Sequence, residues 1–245
     1  MPDQLEPFIH KLKDVAGLDE DGAQTLRVLP FRSIRMDKGE QLYATGAEGL
    51  PCYVLIEGCV SRYKLRKDDS AAITAFELSG DIVNLESLLL NRTDCGARVN
   101  GPSSIAVIEQ EAISRARLTS RSLEVALWRY ALVKAAALEE WLLNIGRRSP
   151  TGRLAHLLSE LHVRLVSVGS SESYAFTLHA SPLDLAEAMG LQQIIVTRCL
   201  HELASRRVIT LTDGTIVIRD AEGLAKLGDF QSSYLHIAPG GRHAP

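Results

Sequence analysis

The chain has 245 residues, 46% of them hydrophobic, and a formal net charge of -3. This length suits two ordinary domains, each with its own core, and the charge excludes a protein that coats nucleic acid or anionic membrane with its whole surface. Any contact with nucleic acid must therefore come from a local patch. Since no apolar run reaches the length of a membrane span and no signal peptide begins the chain, we expect a cytoplasmic protein.

The first part of the chain predicts a helix followed by a small β-structure. Apolar residues from Leu5 to Val15 recur at helical spacing and predict an amphipathic helix that covers this β-structure. Between Leu29 and Ile113 short apolar bursts alternate with glycines, which is typical of a small antiparallel barrel or roll. The predicted strands cover residues 40–43, 52–57, 59–65, 72–78, 82–83 and 105–109, and one short helix covers residues 84–90.

The longest helical signal covers residues 122–145 and contains neither glycine nor proline. Trp128 and Leu132 extend its apolar stripe to a second side, and a helix with two apolar sides needs two partners. The roll supplies only one of them. Because Ala131 and Ala135 allow close approach, the sequence favours a symmetric seam with a second copy of the chain. Complete burial within its own chain is the alternative.

A break at residues 146–150 marks the predicted domain boundary, because Ser149 followed by Pro150 is a helix-start signal. The next helix is expected to end near Gly169. A short extended piece over residues 174–178 leads to the following stretch.

Residues 181–203 predict two short helices that meet at Gly190. Ser181 caps the first helix, and Asp184 completes a capping box. The second helix has one apolar face and an outer face of hydrogen-bonding side chains, an arrangement typical of a DNA-reading helix-turn-helix. An ordinary helical hairpin within a core is the alternative.

A hairpin follows the helix pair and strengthens the DNA-binding interpretation. Residues 208–211 and 215–218 flank a turn that contains Asp213 and Gly214. A helix-turn-helix followed directly by two strands predicts a winged helix. We expect a flexible tail from about residue 232.

The order of these parts resembles the CRP/FNR superfamily of bacterial transcription regulators over nearly the whole chain. The sharpest matches are Tyr-Val-Leu-Ile-Glu-Gly at residues 53–58, Gly-Asp at 80–81 and Thr-Gly-Arg-Leu-Ala at 151–155. Residues 126–148 resemble a proteobacterial subgroup whose effectors are mostly undefined. The resemblance implies an α+β fold with three parts. They are a cyclic-nucleotide-binding-like antiparallel β-roll that senses an effector over residues 1–121, a long dimerisation helix over 122–146 and a winged-helix DNA-binding domain over 147–245.

The implied function is that of a homodimeric transcription regulator, not an enzyme, that reads an inverted-repeat operator of double-stranded DNA. RNA polymerase is a further partner if the protein activates, an unknown small molecule is the effector, and no membrane is involved. The candidate DNA contacts are Gln192, Gln193, Ile194, Thr197, Arg198, His201, Arg206 and Arg207.

The resemblance also implies roles for individual residues of the second helix. Arg198 matches an arginine of relatives that contacts bases or backbone, whereas Ile194 replaces a glutamate that accepts from cytosine, so the operator should differ at that base pair. Gln192, Arg206 and Arg207 are assigned to phosphates. A solvated surface pair is the alternative for the two arginines.

The segment that holds the phosphate in cyclic-AMP-binding members departs from their pattern. Those members read Gly-Asp, two residues, Gly-Glu and later Arg-Ser/Thr-Ala, but here Asn84-Leu85 and Cys95-Gly96-Ala97 occupy these positions. The carboxylate for the ribose and the arginine for the phosphate are both out of register.

We predict that cyclic AMP is not the effector. The alternative is a cyclic-nucleotide-responsive regulator with a shifted phosphate cassette. The candidate effector residues are Asn84, Leu85, Glu86, Cys95, Ala97 and Arg98, and Arg92 would approach the phosphate only in a shifted frame.

We expect no cofactor and no metal. The cysteines are Cys52, Cys59, Cys95 and Cys199, without a C-x-x-C pair, which favours structural thiols. Iron–sulfur relatives carry cysteines close to the N-terminus, before the position of Cys52. No histidine lies between His10 and His156, so the roll lacks the usual ligands of haem or of a metal-dependent cupin-like enzyme, which is one competing function. A winged helix that serves only protein contacts is another.

Overall fold

The computed structural model describes residues 2–68, 70–167, 180–212 and 215–237. The chain divides into two compact units, residues 1–134 and 135–245. Helix α4, residues Arg121–Arg147, begins in the first unit and ends in the second. Among the described residues, none of the helices combines the length and the hydropathy needed to cross a bilayer.

The first unit is an antiparallel β-roll covered by helices, as predicted. Two sheets form it, with strand orders β1-β7-β3 and β2-β6-β4-β5. Its elements are a 3₁₀ turn Pro2–Leu5, α1 Glu6–Ala16, α2 Glu20–Arg27, β1 Arg32–Met36, β2 Gln41–Tyr43, β3 Cys52–Glu57, β4 Cys59–Leu65, β5 Ala71–Leu78, a 3₁₀ turn Leu85–Leu88, β6 Gly96–Val99, β7 Ser103–Ile108 and α3 Gln110–Thr119.

Two hydrophobic clusters stabilise the first unit. One lies between the helices and the β1-β7-β3 sheet, where Phe8, Leu12 and Ile113 pack with Ile108. The other takes residues from both sheets, including Leu55 of β3 and Val60 of β4. Burial of these side chains is the main favourable contribution to the folding of the roll.

Two sequence predictions about the roll are wrong, and two of its strands have no counterpart among the predicted ones. Residues 82–83 do not form a strand, and Ile82 makes only an isolated bridge with Val54. The predicted helix over residues 84–90 is a single 3₁₀ turn, Leu85–Leu88. Strands β1 and β6 were not predicted, because neither Arg-Ser-Ile-Arg-Met nor Gly-Ala-Arg-Val contains an apolar burst.

Helix α4 extends two residues into the break that the sequence predicted at residues 146–150. The helix ends at Arg147, and α5, Pro150–Ser167, begins three residues later. The Ser149 hydroxyl accepts a hydrogen bond from the Gly152 nitrogen at 3.2 Å and so caps α5. The break therefore lies at residues 148–149, because glycine in the last turn of a helix is tolerated.

The second unit contains the predicted helix pair and hairpin. Its further elements are α6 Pro182–Met189, α7 Gln193–Ser205, β8 Ile209–Thr212, β9 Thr215–Ile218, α8 Ala221–Gly228 and a 3₁₀ turn Ser232–Leu235. Strands β8 and β9 pair antiparallel from Ile209↔Ile218 to Thr212↔Thr215. The predicted turn at Asp213 and Gly214, the end of a helix near Gly169 and the extended piece over residues 174–178 lie outside the described residues.

The predicted flexible tail from about residue 232 is wrong for the described residues. Residues Ser232–Leu235 form a 3₁₀ turn, and Leu235 is buried. The Tyr234 hydroxyl donates a hydrogen bond to Glu160 of α5 at 2.8 Å. The apolar and aromatic residues after α8 therefore pack back onto the second unit.

Candidate nucleic-acid interface

Helix α6 is held in place by the capping box that the sequence predicted. The Ser181 hydroxyl accepts a hydrogen bond from the Asp184 nitrogen at 3.2 Å, and the Asp184 carboxylate accepts one from the Ser181 nitrogen at 2.8 Å. Helix α6 ends at Met189, and the φ of 61° at the following Gly190 lies in the left-handed region that favours glycine. This turn directs the chain into α7.

Helix α7 has one buried face and one exposed face. The buried face comprises Val196, Cys199, Leu200 and Leu203. The exposed side chains are those of Gln192, Gln193, Ile194, Arg198 and His201. The Thr197 side chain is half-buried, and its hydroxyl donates to the Gln193 carbonyl at 3.1 Å. The structure therefore presents the predicted base-reading residues on one outer face of one helix.

Two residues of α5 that the sequence analysis did not single out support the helix pair. The Thr151 hydroxyl donates to the Glu202 carboxylate of α7 at 2.6 Å. The Arg153 guanidinium donates to the Met189 carbonyl at 3.2 Å, at the end of α6. Both residues belong to the Thr-Gly-Arg-Leu-Ala stretch, which was the only sequence signal for them. These contacts align the first turn of α5 with the backs of α6 and α7.

The three candidate arginines differ in how far their charges are neutralised. Within the described part of the chain, the Arg198 side chain makes neither a hydrogen bond nor an ion pair. Arg206 donates to Glu202 at 2.6 Å, in an exposed ion pair four residues apart. The Thr151 hydroxyl, followed by Arg206, lowers the pKa of Glu202, so this carboxylate stays charged. Arg207 lies just beyond α7 with φ at 61°. Arg198 and Arg207 are therefore the two of the three that can give their full charge to a ligand.

The β-hairpin adds one exposed cation that the sequence analysis missed. Arg219 directly follows β9, and its Nε donates to the Thr210 hydroxyl of β8 at 3.1 Å. An arginine after the second strand of the hairpin signal could have been noticed there. This hairpin is the wing of the predicted winged helix.

The candidate effector residues do not all converge on one place in the roll. The Asn84 amide is occupied by backbone, since its Oδ1 accepts from the Tyr53 nitrogen and its Nδ2 donates to the Pro51 carbonyl, both at 2.8 Å. Leu85 packs against the cluster beneath the helices, and Ala97 is fully buried in the other cluster. Asn84, Leu85 and Ala97 therefore serve the packing of the roll in this structure.

Glu86 instead pairs with a guanidinium that the sequence analysis missed, that of Arg62 on β4, whose charge also acts on the Cys95 thiol. Arg62 donates to the Glu86 carboxylate at 2.5 Å, and the Thr93 hydroxyl donates to the same oxygen at 3.2 Å. Cys95 is buried, and burial raises the pKa of its thiol although Arg62 acts in the opposite sense. The period of two along β4 could have indicated that Arg62 points into the roll, because Arg62 lies on the same face of the strand as the buried Val60.

The strand that begins at Gly96 is covered by an aromatic ring. A Cβ atom on Gly96 would lie 2.5 Å from Cζ of Tyr63, so the ring occupies the side-chain space of this glycine. Arg98, the last candidate of this group, lies over the same ring at 5.6 Å from its centroid. The Tyr63 ring therefore occupies the space beside Cys95-Gly96-Ala97, the residues that stand where cyclic-AMP-binding members carry Arg-Ser-Ala.

The described residues contain no group of three or more His, Cys, Asp or Glu side chains arranged to hold a metal ion. The four cysteines are buried as reduced thiols. Burial raises the pKa of Cys52 to about 12, so this thiol is protonated at neutral pH.

Two family models match the chain, one in each half. Residues 33–120 match the cyclic nucleotide-binding domain, and residues 152–227 match the Crp-like helix-turn-helix domain. The first match covers the roll, and the second covers the helix pair and hairpin.

Two named relatives and a solved structure resemble the chain over most of its length. The nitrogen fixation regulation protein FixK of Azorhizobium caulinodans is 27% identical over 176 residues, which is 71% of this chain and 70% of that protein. The fumarate and nitrate reduction regulatory protein of Vibrio cholerae is 22% identical over 210 residues, 86% of this chain and 84% of that protein. The structure of FixK2 from Bradyrhizobium japonicum superposes with a TM-score of 0.73 at 24% identity, over 81% of this chain and 98% of that one. At this identity the structural likeness shows the fold.

Proposed function

Because the chain belongs to the CRP/FNR superfamily and is a DNA-binding transcription regulator rather than an enzyme, we propose that it acts as a homodimer that reads an inverted-repeat operator. The observation that carries the proposal is the exposed face of α7, where Gln193, Arg198 and His201 make no side-chain hydrogen bond to the described part of the chain, opposite a fully packed apolar face. A bacterial regulator meets its operator in the cytoplasm, and we place the protein there.

The side chains of α7 suggest how bases are read in the major groove. Arg198 can donate two hydrogen bonds to guanine O6 and N7, and Gln193 can pair with adenine or hold a phosphate. Ile194 is suited to a thymine methyl group, while Thr197 and His201 continue the same face. Gln192, Arg206 and Arg207, at the two ends of the helix, are assigned to phosphates.

An exposed apolar stripe on α4 supports the homodimer. Trp128, Leu132 and Leu142 are 56%, 66% and 74% exposed, whereas Leu123 and Tyr130 on the other side are buried in the roll. A second copy of α4 would cover this stripe with matching side chains. A two-fold dimer then presents two α7 helices to half-sites about 34 Å apart.

The interior of the roll supports an effector other than cyclic AMP. The Arg62 guanidinium is already paired with Glu86, and the Tyr63 ring covers Gly96. A cyclic phosphate could bind Arg62 only by displacing Glu86 from the ion pair. Burying the phosphate next to the Glu86 carboxylate would be costly, because both groups are negatively charged. An unknown small molecule in the roll, and RNA polymerase if the protein activates, complete the proposed set of partners.

Selection of bound fragments from random DNA tests the operator proposal. We expect an inverted repeat with half-site centres about 10 base pairs apart and affinity that falls steeply with salt. Recovery of unpaired single sites, or of no enriched sequence, would refute the homodimeric reader.

Calorimetric titration with cyclic AMP tests the effector proposal. It should show no binding, and micromolar or tighter binding would favour a cyclic-nucleotide-responsive regulator with a shifted phosphate cassette.

Sedimentation of two variants tests the dimer independently of DNA. Leu142→Glu places a charge on the exposed stripe of α4 and should give a monomer. Leu118→Glu is the matched control, because Leu118 is 79% exposed on α3, away from the stripe. A dimeric Leu142→Glu protein would show that α4 is not the seam.

A further inference from the structure

The chain beyond the winged helix folds back onto the core of the second unit. We call residues 229–235 the C-terminal strap. Two of its rings flank His156 of α5: the Phe230 ring meets it edge-on at 5.2 Å between centroids, and the Tyr234 ring stacks on it at 6.2 Å. His156 is fully buried, and Leu235 at the end of the strap is buried as well.

One buried carboxylate joins the strap to two helices. Glu160 of α5 is fully buried, and its Oε2 accepts hydrogen bonds from the Tyr234 hydroxyl at 2.8 Å and from the Trp141 indole of α4 at 2.9 Å. Its Oε1 accepts from Arg164 at 3.0 Å. A buried carboxylate is costly unless donors surround it, so Glu160 strongly favours the docked position of the strap.

The beginning of the strap is tied to the junction of α4 and α5. Arg148, between these helices, donates to Glu140 of α4 at 2.8 Å and to the Asp229 carbonyl at 3.0 Å. A Cβ atom on Gly228 would lie 2.4 Å from the backbone nitrogen of His156, so the end of α8 packs directly on the backbone of α5. The strap is therefore linked to the last turns of α4 through Arg148 and Glu160, and its aromatic rings pack on His156 of α5.

We propose that the C-terminal strap, through Tyr234, fixes the orientation of the winged helix on the last turns of α4 and so sets the spacing of the half-sites that the dimer reads. This inference rests on the proposed homodimer. Helix α7 is aligned with α5 by Thr151, and α5 is aligned with α4 by Glu160 and the strap. Without the strap, Glu160 loses one hydrogen-bond donor, and the link between α4 and α5 is reduced to residues 148–149, the Trp141–Glu160 bond and the bond from Asn144 to the Arg153 carbonyl. Tyr234 is a positioning residue, since its contacts are with His156 and Glu160 of α5 and it is not part of the exposed face of α7.

The test compares binding to the selected operator, to versions with one base pair added or removed between half-sites, and to a single half-site. Tyr234→Phe removes only the hydroxyl, and a chain that ends at Asp229 removes the strap. Tyr53→Phe, a largely buried tyrosine of the roll, and a chain that ends at Ile237 are the matched controls. Wild-type protein and both controls should prefer the natural spacing by about tenfold or more, since orientation on DNA is geometrically strict. The strap variants should lose most of this preference and keep the affinity for a half-site.

Fluorine NMR of protein labelled with 5-fluorotryptophan reports whether the hydrogen bonding around Glu160 has changed. The resonance of Trp141 should shift in Tyr234→Phe and stay in Tyr53→Phe, because Trp141 and Tyr234 share one acceptor atom. A shifted resonance with unchanged spacing preference would overturn the positioning role, and so would an equal loss of affinity for half-site and operator. If the chain that ends at Asp229 does not fold, Tyr234→Phe decides alone. A wild-type protein without any spacing preference would refute the proposed homodimer itself, and the strap proposal with it.

Discussion

The Thr151 hydroxyl of α5 donates a hydrogen bond to the Glu202 carboxylate of α7 at 2.6 Å. The other oxygen of this carboxylate accepts from Arg206, also at 2.6 Å. One side chain of α7 thus connects the helix that precedes the reading pair with a cation at the end of the reading helix. The orientation of α7 therefore depends on the first turn of α5 as well as on its own apolar face.

Replacing Thr151 with valine removes this hydroxyl and keeps the shape of the side chain. We expect operator affinity to fall by roughly two- to tenfold, the usual effect of one lost hydrogen bond. The pKa of Glu202 should rise toward its ordinary value, because Thr151 is the main cause that lowers it. Anisotropy titration and carboxylate NMR measure the two effects.

The control for this substitution is Thr119→Val on α3, where the hydroxyl contacts only carbonyls of its own helix. Thr119→Val should change neither the operator affinity nor the pKa of Glu202. An unchanged pKa of Glu202 in Thr151→Val would contradict the contact.

Arg198→Ala tests the base-reading role of α7. The side chain is exposed and makes neither a hydrogen bond nor an ion pair within the described part of the chain, so its loss should leave the fold intact and cost about 1–3 kcal/mol of binding free energy at the cognate operator. Preference should relax at one base pair in each half-site, which selection from random DNA with the variant protein measures. Arg66→Ala is the control, since it removes one exposed charge from the roll. A uniform loss on all sequences would mean that Arg198 contacts a phosphate.

The helix pair could be predicted because its signals are local. Ser181, Asp184, Gly190 and the apolar spacing of α7 lie within one stretch, and each acts on residues at most a few positions away. The roll was likewise visible from short apolar bursts. Strand β1 was not, because an exposed edge strand needs no apolar alternation.

The polar contacts that organise both units could not be predicted, because their partners are far apart in the chain. Arg62 and Glu86 are separated by 24 positions, and Glu160 and Tyr234 by 74. No local pattern pairs such residues, since the fold alone brings them together. Tyr234 is an example: its neighbours in sequence, which include Pro239 and Gly240, predict a tail, whereas its contact with the distant Glu160 orders this segment.

The buried His156 should make the second unit sensitive to acid. Burial is the main cause that lowers its pKa from the ordinary 6.5, followed by the charge of Arg148, while Glu160 and Glu140 act in the opposite sense. The unfolded chain therefore takes up a proton at a higher pH than the folded chain does. The stabilisation is fully present above about pH 6.5 and is lost as the pH falls toward the lowered pKa.

Hydrogen exchange of the α5 amides at about pH 7.5 and about pH 5.5, corrected for intrinsic rates, measures this effect as a change in opening free energy. The opening free energy of wild-type protein should fall at the lower pH. His156→Gln, which cannot take up a proton, should show a smaller fall. Equal falls in both proteins would assign the acid sensitivity to other groups.

Glu77 of β5 is fully buried, and its partner is the Lys134 ammonium of α4, whose side chain is 22% exposed. Its second oxygen, Oε1, has no hydrogen-bond partner in the described part of the chain. Removal of the cation leaves a buried charge uncompensated, so Lys134→Met should destabilise the first unit by about 3–5 kcal/mol in urea unfolding. Lys64→Met is the matched control, because its partner Asp94 is exposed and such surface pairs contribute at most about 1 kcal/mol. Adding Glu77→Leu to Lys134→Met removes the buried charge as well and should recover most of the loss. If the double variant were as unstable as Lys134→Met, packing of the lysine stem rather than its charge would hold α4 against the roll.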